Sequence, residues 1–191
     1  MFGRLGLSPV SWPCMESLEF KAELRDLPLA RGICRALGAT HAATLDQTDI
    51  CYNVPDARLI KRICPDEPTE YVLYSRREGV GPRVCKFAIF SEEQAVARFG
   101  SQPLPMRVVV RKSREIHLLG NVRIHLDRVD LLGCFVELQA MITADCDIAA
   151  CRAGIDALRV ALSPVLGEAV SVAYADLLAV AREGALQRGD M

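Results

Sequence analysis

The sequence predicts an α+β domain, with many antiparallel strands joined by turns and a few helices beside them. Three observations carry this. Residues 106–142, "MRVVVRKSREIHLLGNVRIHLDRVDLLGCFVELQAMI", alternate apolar and polar side chains in three runs, split by turns at Leu119–Asn121 and Asp130–Gly133. Residues 17–26, "SLEFKAELRD", alternate in the same way: Leu18, Phe20, Ala22 and Leu24 against Ser17, Glu19, Lys21, Glu23 and Arg25. Other segments have helical period. In "DCDIAACRAGIDALRVAL", Ile148, Cys151, Ile155, Leu158 and Leu162 make one apolar stripe.

Taken in order, residues 1–14, "MFGRLGLSPVSWPC", lack the sustained apolar run of a signal peptide. They read as a loose extension or as an upstream start ahead of Met15, and Pro9 and Pro13 suit a poorly ordered tail. After the first strand, Asp26 can cap a helix with Pro28 in its first turn. Ala30, Ile33, Cys34 and Leu37 form its stripe, and Gly38 can end it. "TDICYNVPDARLIKRI" contains a turn at Asn53–Asp56 and then a strand with Arg58, Ile60 and Arg62 on one face. "EYVLYSRR" and "RVCKFAIF" are strands on either side of the turn "REGVGP". "SEEQAVARFG" is a short helix with Ser91 and Gln94 spaced as a capping box and Gly100 as its stop. The 148–162 helix ends before Pro164, and "VAYADLLAVAREG" is a last helix or turn. Residues 15–183 thus form a single domain, followed by a tail over 184–191.

Composition bounds the function. The chain has 191 residues, 51% hydrophobic and 25% charged, the usage of a soluble globular domain. Its formal net charge of −1 gives no global field toward nucleic acid or a membrane surface. No run approaches the ~18 apolar residues of a membrane span. The eight cysteines include no Cys-x-x-Cys pair and no nearby His that would complete a zinc motif. They read as small hydrophobes, reduced, in a cytoplasmic protein. Four Lys stand against nineteen Arg. That bias fits genome composition, and it also fits bidentate phosphate binding by guanidinium groups.

The polar faces of the alternating strands carry charges of both signs: Glu19, Lys21, Glu23 and Arg25; Arg58 and Arg62; Lys112 and Arg114; Arg123, His125 and Asp127; Glu137. One reading is a solvated sheet laced with cross-strand ion pairs, each worth ~0.2–1 kcal/mol. The other follows if the helices cover the apolar side and the sheet closes on itself. The charged side then lines an interior. Buried charge must be paired, so a lumen rich in Arg and Lys with a few carboxylates calls for an anion and a cation together. A polyphosphate with a divalent metal fits both demands.

At these residues the sequence resembles the CYTH domain family, most nearly its bacterial class IV adenylate cyclase branch. "SLEFK" falls on the family's Glu-x-Glu-x-Lys, "ARLIKR" on Gly-Arg-Leu-Lys-Leu-Arg, and "VRKSRE" on Val-x-Lys-x-Arg. "GNVRIHLDRVDLLGCFVELQA" follows the branch's Arg-x-His-Leu-Asp…Leu-Gly-x-Phe-x-Glu-x-Glu run, the most specific match, and "AYADLL" resembles Ser-Tyr-x-Asp-Leu-Leu. The likeness runs from about Ser17 to Leu178. It implies a closed antiparallel β-barrel, a triphosphate tunnel with helices packed outside. It implies phosphate contacts for Lys21, Arg58, Arg62, Lys112, Arg114 and Arg123, with Arg76 (or Arg77) and Arg83 as further members. It implies metal roles for Glu19, Asp127 and Glu137, with Mg²⁺ or Mn²⁺ as cofactor, and catalytic roles for these three and Lys21. The implied ligand is a nucleoside triphosphate or polyphosphate. The oligomeric state, a homodimer included, is left open.

This chain departs from the pattern at four places. Ser17 stands where the first Glu is expected, Ile60 where a basic residue is usual, Gln139 at the last Glu, and His117 at a common Tyr. Losing two carboxylates weakens the expected hold on metal more than the grip on phosphate. Three readings therefore stand: a cyclase making cyclic AMP and pyrophosphate from ATP, which the branch favours; a hydrolase of inorganic or organic triphosphates; and a non-catalytic nucleotide or polyphosphate binder. His125, between Arg123 and Asp127, reads equally as an acid–base or phosphate-donating group and as a structural histidine. Tyr174 and Asp176 read as ties for the C-terminal element.

Overall fold

The computed structural model describes residues 14–54, 57–76 and 79–188. Most of the N-terminal extension, the tip of the Asn53–Asp56 turn and the start of the "REGVGP" turn lie outside the described residues. The elements in chain order are β1 (Met15–Leu24), α1 (Leu27–Ala36), β2 (Thr40–Val54), β3 (Ala57–Ile63), β4 (Glu70–Arg76), β5 (Arg83–Phe90), α2 (Glu92–Phe99), β6 (Met106–Leu119), β7 (Val122–Val129), β8 (Gly133–Ile142), α3 (Ile148–Ala161), β9 (Leu166–Ala169) and α4 (Tyr174–Arg188). The last helix runs across the boundary that the sequence placed at 183.

All the strand pairings are antiparallel, in the order β5-β4-β3-β2-β6-β7-β8-β1-β9, and a further β1–β5 pairing closes eight of the strands into a ring. The α+β reading and the closed sheet with helices outside are both borne out. β1 is the joining strand. One edge pairs with β8 over Glu16–Glu23, and the other pairs first with β5 and then with the short β9. Gly167 in β9 permits that last approach, because a Cβ there would lie 2.8 Å from the Cβ of Glu23.

The larger apolar core lies on the outer face of the ring. Leu18, Phe20 and Ala22 of β1, Ile124 and Leu126 of β7, and Val136, Leu138 and Ala140 of β8 pack there. Leu27, Ala30 and Cys34 of α1 and Cys151, Ile155 and Leu158 of α3 cover them. Local signals start these helices: the Asp26 side chain accepts from Leu29 N, and Asp147 accepts from Ala150 N. α1 stops before Gly38, whose φ of +79° suits a residue without a side chain. The Ser91–Gln94 capping box of α2 forms as read from sequence.

A second apolar cluster closes one end of the ring from inside. Cys51, Val108, Val110, Val129 and Phe135 meet Tyr174, Ala175 and Leu178 of α4. Two elements escaped the sequence reading. β9 is only four residues long, and the first half of β2 is polar on both faces. Among the described residues, no helix is long and apolar enough to cross a membrane.

Leu138 is 0% exposed between β8 and the covering helices. Leu138→Ala is therefore expected to cost about 2–5 kcal/mol in urea unfolding, with an unchanged slope. A loss below about 1 kcal/mol would show that the outer face of the ring is not the packed core.

Candidate functional site

Strand alternation turns the polar teams inward. Glu19 and Lys21 of β1, Gln47 and Asp49 of β2, Arg62 of β3, Lys112 and Arg114 of β6, Arg123 and His125 of β7, and Glu137 and Gln139 of β8 line one cavity of about 470 Å³. Register sets them in rows. Glu19 lies beside Gln139, which lies beside Arg123; Lys21 lies beside Glu137, which lies beside His125.

Arg114, Asp49 and Lys21 each face a counter-charge. Arg114 reaches Asp127 with two bonds, Nε to Oδ1 at 2.7 Å and Nη2 to Oδ2 at 2.6 Å, and its Nη2 also reaches Glu137 Oε2 at 2.7 Å. Asp49 takes Arg62 through Nε at 2.8 Å and Nη2 at 3.1 Å, and pairs with Lys112 as well. Lys21 Nζ lies 3.9 Å from Glu137 Oε1 and 3.9 Å from the centre of the Tyr174 ring.

These surroundings reset the ionisation of the wall. Burial pushes the Asp49 carboxyl up, but Lys112 and Arg62 outweigh it and hold the group well below the usual carboxylate range. Burial lowers the Lys112 ammonium, and Asp49 only partly restores it. Burial works against the Arg114 charge, yet Asp127 and Glu137 hold its guanidinium well above the ordinary value. Burial, then the positive charge of Arg114, drives His125 down to about 3, so its ring is neutral at pH 7. Glu19 is pushed up by burial and by Glu137, against hydrogen bonds from Ser17 and Gln139. Ser17 Oγ donates to Glu19 Oε1 at 2.9 Å, and Gln139 Nε2 donates to the same oxygen at 3.1 Å. The two neutral residues that stand where acids were expected thus hold one of the two that remain, Glu19.

The expected site residues divide into those on the cavity surface and those beside it. Glu19, Lys21, Arg62, Lys112, Arg114, Arg123 and Glu137 line the cavity, with Arg123 on its exposed side. Asp127 sits behind that surface at 0% exposure, both oxygens taken by Arg114 and Oδ2 also by the Tyr174 hydroxyl at 2.8 Å. Arg58 turns to Asp176 at the base of α4. Arg83 is buried and donates to the Val170 carbonyl at 3.0 Å. The side chain of Arg76 and the whole of Arg77 lie outside the described residues. Tyr174 and Asp176 tie down α4 as expected. Asp176 accepts from Ala173 N at 3.0 Å and pairs with Arg107 at 2.7 Å.

Sequence reasoning missed Gln47 and Asp49. Their strand, "THAATLDQTDICYNV", is polar on both faces, with Thr44, Asp46 and Thr48 on one and Gln47 and Asp49 on the other, so its period is hidden. The one usable signal was Leu45, Gln47, Asp49 and Cys51 falling at alternate positions.

Among the described residues, no group of three or more His, Cys, Asp or Glu is gathered as a metal cluster. The cavity does hold two carboxylates on neighbouring strands, Glu19 and Glu137, and the charge of Glu137 raises the proton affinity of Glu19. That donor set fits Mg²⁺ or Mn²⁺ carried in with phosphate oxygens, since such ions take one or two carboxylates and leave the other positions to substrate and water.

The sequence profile of the CYTH domain family matches residues 15–150. No curated protein matches the chain. Among solved structures, the PH1012 protein of Pyrococcus horikoshii is 20% identical, with a TM-score of 0.70 over 84% of this chain and 98% of its own. A Vibrio parahaemolyticus protein described as a "putative adenylate cyclase" is 18% identical, with a TM-score of 0.67 over 85% of this chain and 97% of its own. HpAC1 from Hippeastrum, described as having a dominant triphosphatase activity, is 14% identical, with a TM-score of 0.59 over 88% of this chain and 96% of its own. At these identities the structural likenesses speak for the fold.

Two outcomes test the electrostatics. The His125 ring signals are expected to stay flat in an NMR titration from pH 8 to 5, because the folded value is about 3. A step near 6.5 would overturn the neutral assignment. Asp49→Asn removes the counter-charge of Lys112, whose side chain is 2% exposed. It is expected to cost about 3–5 kcal/mol in chemical unfolding. Because the folded Asp49 value lies below the unfolded one, the wild-type margin is full above pH ~4 and shrinks as pH falls further.

Proposed function

The chain belongs to the CYTH domain family, and from that premise we propose that it is a metal-dependent triphosphate-processing enzyme of the class IV adenylate cyclase kind, converting ATP to cyclic AMP and pyrophosphate. The observation that carries the reading is the lumen itself. Lys21, Arg62, Lys112, Arg114 and Arg123 project into one cavity of about 470 Å³ that also holds the Glu19–Glu137 pair. Cations from four strands, four of them braced by Asp49, Asp127 or Glu137, form a grip for an extended polyanion.

In this reading Lys112, Arg114 and Arg62 bind phosphoryl oxygens, and Arg123 meets the substrate from the exposed side. Asp127 holds Arg114 in its fork, so it is a positioning residue, and Tyr174 holds Asp127. Glu19 and Glu137 hold a divalent ion, which when bound supplies charge neutralisation at the phosphoryl oxygens. The ribose 3′-hydroxyl oxygen bonds to the α-phosphorus as the bond from that phosphorus to the bridging oxygen breaks, pyrophosphate leaves, and the hydroxyl proton passes to solvent. The chain contributes alignment and pre-set charge.

Incubation with ATP and Mg²⁺ or Mn²⁺ is expected to yield cyclic AMP and pyrophosphate. Orthophosphate without cyclic AMP, from ATP or from tripolyphosphate, would replace the cyclase reading with a triphosphatase. Binding of both without any product would leave a binder. Glu137→Gln is expected to lower turnover at least ~10-fold. Unchanged turnover would sink the assignment of Glu137 to metal.

A further inference from the structure

The lumen has two unlike walls. On β1, β6, β7 and β8, Glu19, Lys21, Lys112, Arg114, His125 and Glu137 make it polar and charged. On β4 and β5 the apolar and aromatic positions lining the same cavity are Val72, Tyr74, Phe87 and Ile89, alongside Cys85 and the Glu70 carboxylate. Register joins these four into one patch: Val72 lies beside Ile89, and Tyr74 beside Phe87. Ile60, where a basic residue was expected, lies beside Val72 and extends the patch onto β3.

This patch is not packing surface. Val72, Tyr74, Phe87 and Ile89 belong to neither of the two apolar cores, and Ile89 is 45% exposed. The Tyr74 side chain interacts with Arg58 of the neighbouring strand. In the eight-strand ring, β5 stands across from β6, which carries Lys112 and Arg114. Apolar and aromatic surface in a water-filled cavity gains nothing from an all-charged ligand, whereas the face of an aromatic ring removes both surfaces from water. The cavity volume, about 470 Å³, lies within the ~300–1,000 Å³ of sites for ligands with an organic body.

We propose that Val72, Tyr74, Phe87 and Ile89 seat the uncharged aromatic ring of an organic triphosphate, of the nucleobase class, and so select organic over inorganic triphosphate. The proposal rests on the reading that the opposite wall grips the phosphates. Calorimetric titration of the full chain with ATP, and separately with inorganic tripolyphosphate, both in EDTA to prevent turnover, tests it. Wild type is expected to bind ATP more tightly than tripolyphosphate. Phe87→Ala is expected to weaken ATP about tenfold, the usual consequence of removing a stacking platform, and to leave tripolyphosphate unchanged. Ile89→Gln, at a half-open position outside both cores, is expected to move ATP alone in the same direction by less. Equal losses for both ligands, or no loss for ATP while tripolyphosphate still binds, would overturn the ring seat and leave the phosphate grip standing. Wild type that binds neither ligand in EDTA, nor with Ca²⁺ in place of Mg²⁺, would overturn both.

Discussion

A ring of strands can close over lysine and arginine only if carboxylates close with them, and the Arg114 cluster is where this chain meets that demand. One guanidinium is shared between Asp127 and Glu137, and Asp127 is shared in turn with Tyr174. Desolvating any one of these charges alone costs several kcal/mol, so the set stands or falls together. Asp49 plays the same part for Arg62 and Lys112. The lumen is thus pre-neutralised, and an arriving polyanion competes with residents already in place.

That arrangement explains why the apolar core is turned outward. With the inner face given over to ion pairs, hydrophobic burial has to come from the outer face, and α1 and α3 exist to cover it. The two faces constrain each other. A one-residue slip in β1 would put Leu18 and Phe20 in the lumen and Glu19 and Lys21 under the helices. Leu18 is 1% exposed and Asp127 is 0% exposed on opposite faces of the same ring, so register and site are specified by one pattern.

Much of this was readable because that pattern is strict where the chain does most. Over Leu18–Leu24 of β1, Val122–Asp127 of β7 and Val136–Ala140 of β8 every second residue is apolar; Glu19, Lys21, Arg123, His125, Glu137 and Gln139 line the cavity, and Asp127 braces it. The reading failed where the physics is not periodic. β2 is polar on both faces, so Asp49 was invisible although it neutralises two of the named cations. Arg58 shares a face with Arg62, but its partner Asp176 comes from a helix 118 residues away, and no local signal announces that meeting. Asp127 illustrates another limit. Spacing places a carboxylate on the inner face, but only the packing of Arg114 and Tyr174 shows that it braces a neighbour from behind the cavity surface.

The joining strand has a consequence for how the chain reaches this state. Glu19 and Gln139, side by side in the ring, are 120 residues apart in sequence. β6, β7 and β8 can zip up as neighbouring hairpins soon after they exist, whereas β1 is made first and has no partner on either edge until β5 and then β8 have followed. For that interval it is an alternating strand with both edges bare, the form most prone to pair with a stranger. Its charged team, Glu19, Lys21 and Glu23, therefore has an earlier duty than any in the finished cavity. Charges of that kind on a strand with bare edges oppose edge-to-edge pairing with another chain.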